Sequence, residues 1–505
     1  MDTTNAAADG FEQLAGETWD LLVIGGGIVG SGVARDAAIR GLRVALVDRH
    51  DFAFGTSSRS SRLLHGGLRY LAQGRIGLVH EASVEKCTLH RIAPHLAAPL
   101  PFLFPTYRRT PWTRWKLSIG VRVYDLLCGQ RNLGPSSTLP VGRMVEKLPD
   151  INRQNLTGGV RYFDGLTSDA RLVIDTLRSA VRHGAAVRNF TALEAAETAP
   201  AGWACRLRDA SSGREVRATA RTIVNATGCW ADRLPQSRVR LRLTKGIHLV
   251  LDQARFPVNE AVVMAEGSRI LFAIPWGARV ILGTTDTDYD GSLESVPIGA
   301  DDVAYVLDVA NRAFPPARLE PRDVLARWAG VRPLISKRPV KKGTPSNTSR
   351  NHQVRMPHPG WIDIAGGKLT TYRLMAEQTV DLVGRHLKAD LKECRTAREP
   401  LLEPSAAAFS GVLPPPVTRE AVDHYCQQEW ARHLDDVMLR RTSWHYYHPE
   451  AAEIARQVAA WMGQRLGWDD AAREAEIARL RRAFFFLMIR RPPRSTLFPY
   501  TTLFR

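Results

Sequence analysis

The sequence WDLLVIGGGIVGSGVARDAAIRGLRVALVD, residues 19–48, decides the fold. Its first apolar run predicts a short strand covered on both faces, and the alanine-rich stretch that follows predicts a helix ending at Gly41. Residues 42–47 then predict a second strand. A strand, a helix and a second strand in this order form a βαβ unit, which belongs to a parallel sheet. The predicted fold class is therefore α/β.

The glycines between the first strand and the helix carry a nucleotide-binding motif, Gly25-x-Gly27-x-x-Gly30, and Asp48 closes the second strand. The first glycine permits a tight turn, the second lets the backbone approach a pyrophosphate, and the third lets the helix pack closely on the sheet. N–H groups at the helix N-terminus bind phosphate oxygens, and a carboxylate at the position of Asp48 accepts hydrogen bonds from ribose hydroxyls. The unit is predicted to be a Rossmann-like dinucleotide-binding domain, for either NAD or FAD.

The composition of the 505-residue chain narrows the function classes. No stretch reaches the roughly 18 apolar residues that a transmembrane helix needs, and residues 1–18 lack the basic start and apolar centre of an export signal, so we expect a cytoplasmic protein. The 6 cysteines are far apart with no C-x-x-C pair, so neither a zinc site nor a disulfide framework is predicted, and we expect no metal. The net charge of +18 fits nucleic acid, an anionic membrane or an anionic substrate.

Later segments predict further parts of the architecture. Residues 203–228 alternate apolar and polar side chains around a Ser-Ser-Gly turn, which predicts a β-hairpin. Residues 244–290 contain several short β-like runs, which predict an antiparallel sheet that carries the substrate, and residues 418–482 predict helices. The segment 483–505 differs from everything before it. We interpret it as a frameshift or adapter artefact or a disordered tail, with a membrane-contact tail as the alternative.

A second set of motifs lies downstream of Asp48 in a fixed order. The set consists of TSSRSSRLLHGGLRY (56–70), NATG (225–228), KGIH (245–248), GTTD (283–286), AGVRP (329–333) and GGKLTTYR (366–373). With these motifs the chain resembles the aerobic, FAD-dependent glycerol-3-phosphate dehydrogenases, within the larger group of amine- and hydroxy-acid-oxidising flavoproteins. The resemblance covers roughly residues 19–395, and it implies that the dinucleotide is FAD.

The same resemblance implies how the chain divides. The FAD-binding domain is expected in three segments, together with an insertion that faces the substrate and the membrane, an antiparallel-sheet substrate domain and a small helical C-terminal domain. The predicted limits are 19–90, 151–235 and 356–395 for the FAD-binding segments, 91–150 for the insertion, 236–355 for the substrate domain, 396–482 for the C-terminal domain and 483–505 for the tail.

The resemblance also assigns residues to the cofactor. In the GGKLTTYR segment, backbone N–H groups, a helix N-terminus and Lys368 are expected to stabilise the negative charge of reduced flavin. The predicted FAD-binding residues are Gly25, Gly27, Gly30, Asp48, Thr56, Ser57, Ser58, Ser61, Gly66, Gly67, Thr227, Gly228, Gly366, Gly367, Lys368, Leu369 and Thr370.

The reaction implied by the resemblance is the loss of a hydride from C2 of sn-glycerol 3-phosphate to N5 of the flavin, which gives dihydroxyacetone phosphate. The dianionic phosphate needs cations, and arginine suits it because its planar fork stays charged and binds phosphate oxygens in pairs. Three arginines match family positions around the substrate. The predicted substrate-binding residues are Arg69, Tyr70, Thr284, Thr285, Arg332, Arg350 and Lys368.

The hydroxyl proton must pass to a base, and histidine is the side chain whose ordinary pKa lies near working pH. His65 precedes a glycine pair that would let the chain pass close to the flavin, and His248 lies on a predicted strand of the substrate domain. One of the two is the candidate base, with His65 preferred. The predicted catalytic residues are His65, His248, Arg69, Arg332 and Lys368.

Residues 110–127, TPWTRWKLSIGVRVYDLL, predict a helix with an apolar stripe flanked by basic side chains, with Thr110 as its N-cap and Pro111 as its first residue. Such a helix lies flat on an anionic membrane surface or packs on its own domain. The resemblance implies the former, with peripheral binding to the inner face of the cell membrane and delivery of electrons to a membrane quinone. The stripe consists of Trp112, Trp115, Ile119 and Val123, with Lys116 and Arg122 beside it and Arg114 opposite.

Two other functions fit the same motifs. An oxidase of this fold would pass electrons from glycerol 3-phosphate or another hydroxy acid to oxygen, and a flavin-binding membrane-associated protein would not turn over. A nucleic-acid partner is not expected, because the basic residues belong to flavin, substrate and membrane motifs rather than to a stripe interleaved with aromatic residues. A homodimer is the assembly to be tested.

Overall fold

The computed structural model describes residues 11–71, 74–129, 132–267, 269–336 and 352–485. Within these residues the chain forms an eight-stranded sheet, a ten-stranded sheet and a helical C-terminal region. The two sheets carry the site, and the helices cover their outer faces.

The described strands and helices have the following bounds. The strands are β1 (Thr18–Ile24), β2 (Val44–Val47), β3 (Leu63–Leu64), β4 (Ala98–Tyr107), β5 (Ser137–Leu139), β6 (Leu156–Leu166), β7 (Ala186–Arg188), β8 (Thr191–Ala199), β9 (Gly202–Asp209), β10 (Glu215–Asn225), β11 (Leu241–Asp252), β12 (Ala261–Glu266), β13 (Arg269–Trp276), β14 (Arg279–Gly283), β15 (Thr287–Asp288), β16 (Val324–Ile335), β17 (His352–His358) and β18 (Trp361–Gly366). The helices are α1 (Ile28–Ile39), α2 (Leu68–Leu71), α3 (Ile76–Ile92), α4 (Arg114–Leu127), α5 (Val141–Lys147), α6 (Asp169–Arg182), α7 (Ala300–Ala313), α8 (Tyr372–Leu387), α9 (Arg419–Gln428), α10 (Trp444–Tyr447), α11 (Ala451–Leu466) and α12 (Asp470–Phe485).

The first sheet has the order β17-β18-β10-β1-β2-β7, and β9 and β8 continue from β10. β1 pairs in parallel with both β2 and β10, and α1 packs against α6 and α8. The βαβ unit predicted from residues 19–48 is thereby confirmed. Its turn depends on Gly25, whose φ of 105° favours glycine, and on Gly30, where a Cβ would lie 1.9 Å from the carbonyl oxygen of Gly25.

The second sheet has the order β15-β11-β14-β13-β12-β4-β6-β3, with β16 paired to β11. The antiparallel pairs β11–β14, β13–β14 and β12–β13 confirm the prediction for residues 244–290, and the antiparallel pair β9–β10 confirms the hairpin of 203–228. The sheet is larger than the predicted segment 236–355, because β4 and β6 also join it. Those strands come from residues 91–150 and 151–235, and pairing between strands so distant in sequence is decided by tertiary contacts.

The start predicted for the surface helix is wrong. Helix α4 begins at Arg114 with Thr113 at the N-cap position, because the Thr110 hydroxyl donates to the carbonyl of Tyr107 instead of capping a helix. Trp112 therefore precedes the helix and is half-buried, with its ring 5.4 Å from that of Phe104. The outward face of α4 consists of Trp115, Ile119, Arg122 and Leu126, and its inward face consists of Leu117, Val121 and Tyr124.

The C-terminal helices α9, α10, α11 and α12 have their own hydrophobic core, which confirms a helical C-terminal domain. This domain is joined to the FAD-binding domain by fully buried ion pairs from Asp51 to Arg440 and Arg441. Helix α12 continues to Phe485, and residues 486–505 of the predicted tail lie outside the described residues. In the part of the chain that the structure describes, no helix combines the length and the low charge needed to cross a membrane.

Candidate active site

A cavity of about 730 Å³ lies between the two sheets, and most of the predicted site residues line it. The turn after β1 and the segment after β2 form one end, and β11, β16, the turn after β14 and the glycine pair before α8 form the other. The predicted residues on its wall are Gly25, Gly27, Asp48, Thr56, Ser57, Ser61, His65, Gly67, Tyr70, Thr227, Gly228, His248, Thr284, Thr285, Arg332, Gly366, Gly367, Lys368, Leu369 and Thr370.

The remaining predicted residues are not on this wall. Gly30, Ser58 and Gly66 lie behind it, next in sequence to residues that line it. Arg69 belongs to α2, between two residues that line the cavity. The side chain of Arg69 and the whole of Arg350 lie outside the described residues.

At the nucleotide end of the cavity, backbone N–H groups hold two polar side chains in place. The carboxylate of Asp48 accepts hydrogen bonds from the N–H of Gly26 at 2.7 Å and from the N–H of His50 at 2.8 Å, which hold it at the end of β2. Burial raises the pKa of this carboxyl to about 6. The N–H of Ile28, in the first turn of α1, donates to the hydroxyl of Ser57 at 3.0 Å, so the serine-rich segment lies directly over the helix N-terminus.

These groups fit a dinucleotide such as FAD. The first turn of α1 opens onto the cavity at Gly27 and Ile28, where N–H groups and the helix dipole suit a pyrophosphate. A Cβ at Gly27 would lie 3.2 Å from the Ser57 hydroxyl, a tight contact that glycine avoids. The carboxylate of Asp48 also lines the cavity, in the position that ribose hydroxyls need.

Arg332 is the fixed cation at the substrate end. It lies on β16, and one guanidinium nitrogen donates to the hydroxyl of Thr284 at 2.9 Å. The other donates to the carbonyl of Thr285 at 3.2 Å and lies 3.4 Å from a carboxylate oxygen of Asp286. The hydroxyl of Thr285 accepts the N–H of Ile247 at 3.1 Å, which ties this group to β11. The predicted residues Arg332, Thr284 and Thr285 thus form one cluster.

His248 lies on β11 within this end of the cavity and is buried. Its Nε2 lies 2.8 Å from the hydroxyl of Ser61, and its ring stacks on Trp328 with centroids 5.1 Å apart. Burial, reinforced by the positive charges of Arg332 and Arg62, holds the pKa of His248 well below its ordinary value. The ring is therefore neutral at working pH and has a lone pair that can accept a proton.

His65 lies on a turn held against the glycine pair before α8. Its backbone N–H donates to the hydroxyl of Thr370 at 3.0 Å, and Gly67 has a φ of 86°. The ammonium of Lys368 lies 4.4 Å from the centre of the Tyr70 ring. The structure therefore brings His65, Tyr70 and Lys368 to the same end of the cavity, as the sequence predicted.

An apolar wall on this side of the cavity was not predicted from the sequence. The wall comes from the second sheet and is lined by Phe102, Phe104, Tyr162, Val263 and Phe272. Three of these residues lie on β4 and β6, whose membership of the sheet was not predicted. The alternation of Phe102 and Phe104 in the segment 98–107 is the signal that could have placed that strand there, whereas the segment 156–166 has no alternating aromatic residues.

Comparison with known proteins agrees with this geometry. Residues 20–373 match the family model for FAD dependent oxidoreductases, and residues 407–473 match the model for the C-terminal domain of alpha-glycerophosphate oxidase. The chain is 34% identical over 522 residues to glycerol-3-phosphate dehydrogenase 2 of Mycobacterium tuberculosis, covering 93% of this chain and 88% of that protein. It is 39% identical over 396 residues to the aerobic glycerol-3-phosphate dehydrogenase of Bacillus subtilis, covering 76% and 71%.

A solved structure shares the whole architecture. The glycerol-3-phosphate dehydrogenase from Bacillus halodurans, complexed with FAD, superimposes with a TM-score of 0.76 at 28% identity, over 95% of this chain and 97% of that one. The chain belongs to the family of FAD-dependent oxidoreductases, in the branch formed by the glycerol-3-phosphate dehydrogenases.

Proposed function

We propose that this chain oxidises sn-glycerol 3-phosphate to dihydroxyacetone phosphate, with FAD as the acceptor of the C2 hydride and a membrane quinone as the final acceptor. The observation that carries the proposal is the cavity itself. One end presents the Gly25 turn and Asp48, which suit a dinucleotide, and the other presents Arg332, His248 and Lys368, which suit an anionic alcohol. The relatives described above carry the same activity in their names.

Arg332 is proposed to hold the phosphate group of the substrate. Its guanidinium is fixed by Thr284 and Thr285, so little side-chain entropy is lost when an anion binds. The carboxylate of Asp286, 3.4 Å away, neutralises the charge of Arg332 only in part. The remaining positive charge can attract the dianionic phosphate. Arg69 and Arg350 stay predicted partners of the same phosphate.

His248 and His65 are the proposed acceptors of the hydroxyl proton. His248 is neutral because of its lowered pKa, and its contact with Ser61 keeps the ring in one orientation. His65 lies on the facing turn, beside the Gly67 backbone. FAD, when bound, supplies the hydride acceptor, and Lys368 contributes a positive charge at the same end of the cavity.

Helix α4 is proposed to rest on the inner face of the cell membrane. Its outward side chains Trp115, Ile119 and Leu126 are 63%, 55% and 70% exposed, which is a large apolar area for one helix face. Arg122 lies on the same face, and Arg114 and Lys116 are also exposed, so attraction to anionic lipid adds to apolar burial.

The route for a quinone is proposed along the apolar wall of the cavity. Phe104 belongs to that wall, and it contacts Trp112, which immediately precedes α4. Apolar side chains thus connect the cavity with the segment before α4, and a hydrophobic acceptor is proposed to follow them. The homodimer stays a prediction, which light scattering of the purified protein would test.

The deciding experiment is anaerobic reduction of the purified yellow protein. Addition of sn-glycerol 3-phosphate should bleach the flavin absorbance, whereas glycerol at the same concentration should leave it unchanged. Absence of bleaching with glycerol 3-phosphate would favour a flavin-binding protein without turnover. Equal bleaching by glycerol would contradict the role of Arg332. NAD should have no effect.

The acceptor is decided by a second measurement. With glycerol 3-phosphate present, a water-soluble quinone analogue should be reduced many times faster than oxygen. Formation of hydrogen peroxide at the rate of substrate oxidation would instead identify an oxidase of this fold.

A further inference from the structure

The turn that carries His65 and Gly67 is supported from behind by helix α4. The N–H of Gly66 donates to the hydroxyl of Tyr124 at 2.8 Å and lies 3.3 Å from a carboxylate oxygen of Asp164. Tyr124 in turn donates to that same oxygen at 2.5 Å. Tyr124 lies on the inward face of α4, and Asp164 lies on β6, so one hydroxyl joins the turn to two separate elements.

A buried lysine completes this network. The ammonium of Lys86, on α3, donates to Asp164 at 3.1 Å, to the carbonyl of Phe163 at 2.9 Å and to the side-chain oxygen of Asn132 at 2.9 Å. It also lies 3.4 Å from the Tyr124 hydroxyl. Lys86, Tyr124 and Asp164 are all buried, so their charges and hydrogen bonds act in a low dielectric, where a change of partner is costly.

Packing around the turn leaves it little freedom. A Cβ at Gly66 would lie 2.4 Å from the Tyr124 hydroxyl and 2.5 Å from that of Ser83. Side chains of α4 and α3 therefore pack directly against the backbone of the turn. On the opposite side, a Cβ at Gly67 would lie 3.0 Å from the ammonium of Lys368. The turn is therefore confined between α4 and the wall of the flavin and substrate cavity.

We propose that Tyr124 is a positioning residue for the reaction. By accepting the Gly66 N–H, its hydroxyl sets the orientation of the peptide between His65 and Gly66. That peptide determines where the His65 ring and the Gly67 backbone stand in the cavity. Tyr124 does not line the cavity itself, so its effect on turnover must pass through the groups that its hydroxyl contacts, which are the turn and the cavity-lining Asp164.

The substitution Tyr124→Phe tests this proposal, because it removes one oxygen and retains the ring. We expect kcat with glycerol 3-phosphate and a soluble dye to fall at least about tenfold, since small displacements of catalytic groups cost orders of magnitude in rate. KM should change much less, because Arg332 is untouched. The visible spectrum of the bound flavin should shift, because the turn lines the substrate end of the cavity, where hydride transfer to the flavin is proposed.

Two controls separate positioning from stability. Tyr425→Phe removes an equally buried hydroxyl, which donates to the Phe409 carbonyl at 3.0 Å in the C-terminal domain. Its melting temperature should fall as much as that of Tyr124→Phe, with kcat and the flavin spectrum unchanged. Ser118→Ala alters the same helix away from the turn, where the serine hydroxyl donates to the carbonyl of Arg114 at 2.8 Å, and it should leave both readouts unchanged with the soluble dye.

The outcomes are distinct. If Tyr124→Phe keeps the wild-type kcat and flavin spectrum, or if Tyr425→Phe loses the same activity, the positioning role is wrong. If Tyr124→Phe does not fold, Gly66→Ala, whose Cβ would lie 2.4 Å from the Tyr124 hydroxyl and would displace the same turn, should show the same kcat loss and spectral shift, and wild-type values would overturn the proposal. The inference rests on the proposed function for its substrate. Failure of glycerol 3-phosphate to bleach the wild-type flavin would refute that function, whereas bleaching with no effect of Tyr124→Phe would refute only the inference.

Discussion

The two ends of the cavity are built in different ways. The nucleotide end comes mainly from the stretch from Gly25 to Ser57, in which backbone N–H groups hold the Asp48 carboxylate and the Ser57 hydroxyl in place. The substrate end comes from β11, β16 and the turn after β14 and from the turn at Gly67, and its ligand-facing groups are side chains. The first is specified by local spacing, and the second by the pairing of strands that are distant in sequence.

This difference explains how each end should respond to mutation. Backbone recognition depends on glycines that no other residue can replace, so a single added side chain should disrupt cofactor binding and folding together. Recognition at the substrate end depends on individual charged side chains, which neighbouring residues hold in position. Truncation of one such side chain should reduce the rate and leave the fold and the flavin in place.

The largest effect is expected at the nucleotide end, for Gly30→Val. The new Cβ would lie 1.9 Å from the carbonyl oxygen of Gly25, so α1 must move away from the sheet. We expect the protein to lose its flavin and about 3 kcal/mol of stability, as for severe overpacking. Gel filtration followed by measurement of the flavin content tests the loss of flavin, and urea unfolding tests the loss of stability. Gly142→Val, at an exposed helical position with nothing within 4 Å of the added Cβ, is the control and should keep its flavin.

At the substrate end, Arg332→Ala should lower kcat/KM for glycerol 3-phosphate by about 10²–10³-fold, the range for removal of one partner of a partly buried charge pair. Both KM and kcat should worsen, because phosphate binding also orients C2. The flavin spectrum and its retention should remain normal. Arg327→Ala removes an arginine from the same strand outside the cavity, and it should retain wild-type kinetics. Loss of flavin from Arg332→Ala would break the contrast between the two ends.

A smaller effect is expected for Asp48→Asn, which keeps the shape of the side chain and removes its charge. FAD should bind about tenfold more weakly, because hydrogen bonds to a charged acceptor are the stronger ones. In the apoprotein the pKa of Asp48 is raised to about 6, so the folded state holds this proton more tightly than the unfolded chain. The protonated Asp48 carboxyl therefore stabilises the folded apoprotein below the unfolded pKa of about 4, and this stabilisation is lost as the pH rises through 6.

The matching measurement is the free energy of unfolding of both apoproteins between about pH 4 and pH 7. The stability of Asp48→Asn relative to wild type should rise across that interval, since the variant has no carboxyl to ionise. A constant difference would mean that Asp48 is not the buried acid described here.

The sequence predicted the nucleotide end better than the substrate end, because only the nucleotide end is specified by local spacing. Gly25 and Asp48 act through positions in one βαβ unit, so their spacing is sufficient. Arg332 and His248 were found only through motif resemblance, and the sequence did not indicate that Asp286 and Trp328 contact them. Tyr124 was hidden altogether, because its contact with Gly66 depends on how α4 packs, and the predicted helix began at the wrong residue.

The smallest effect on either end of the cavity is expected from the outward face of α4. Changing Trp115 and Ile119 to Ser removes apolar area that contacts no other part of the described core, so flavin content and turnover with a soluble dye should stay at wild-type values. Binding to vesicles of anionic lipid should be lost at all ionic strengths. Changing Arg114 and Lys116 to Gln should weaken binding mainly at low salt, because each basic residue contributes about 1 kcal/mol and that attraction is screened. Retention of vesicle binding by the Ser variant would show that another surface contacts the membrane, and loss of flavin would show that this face packs within the protein.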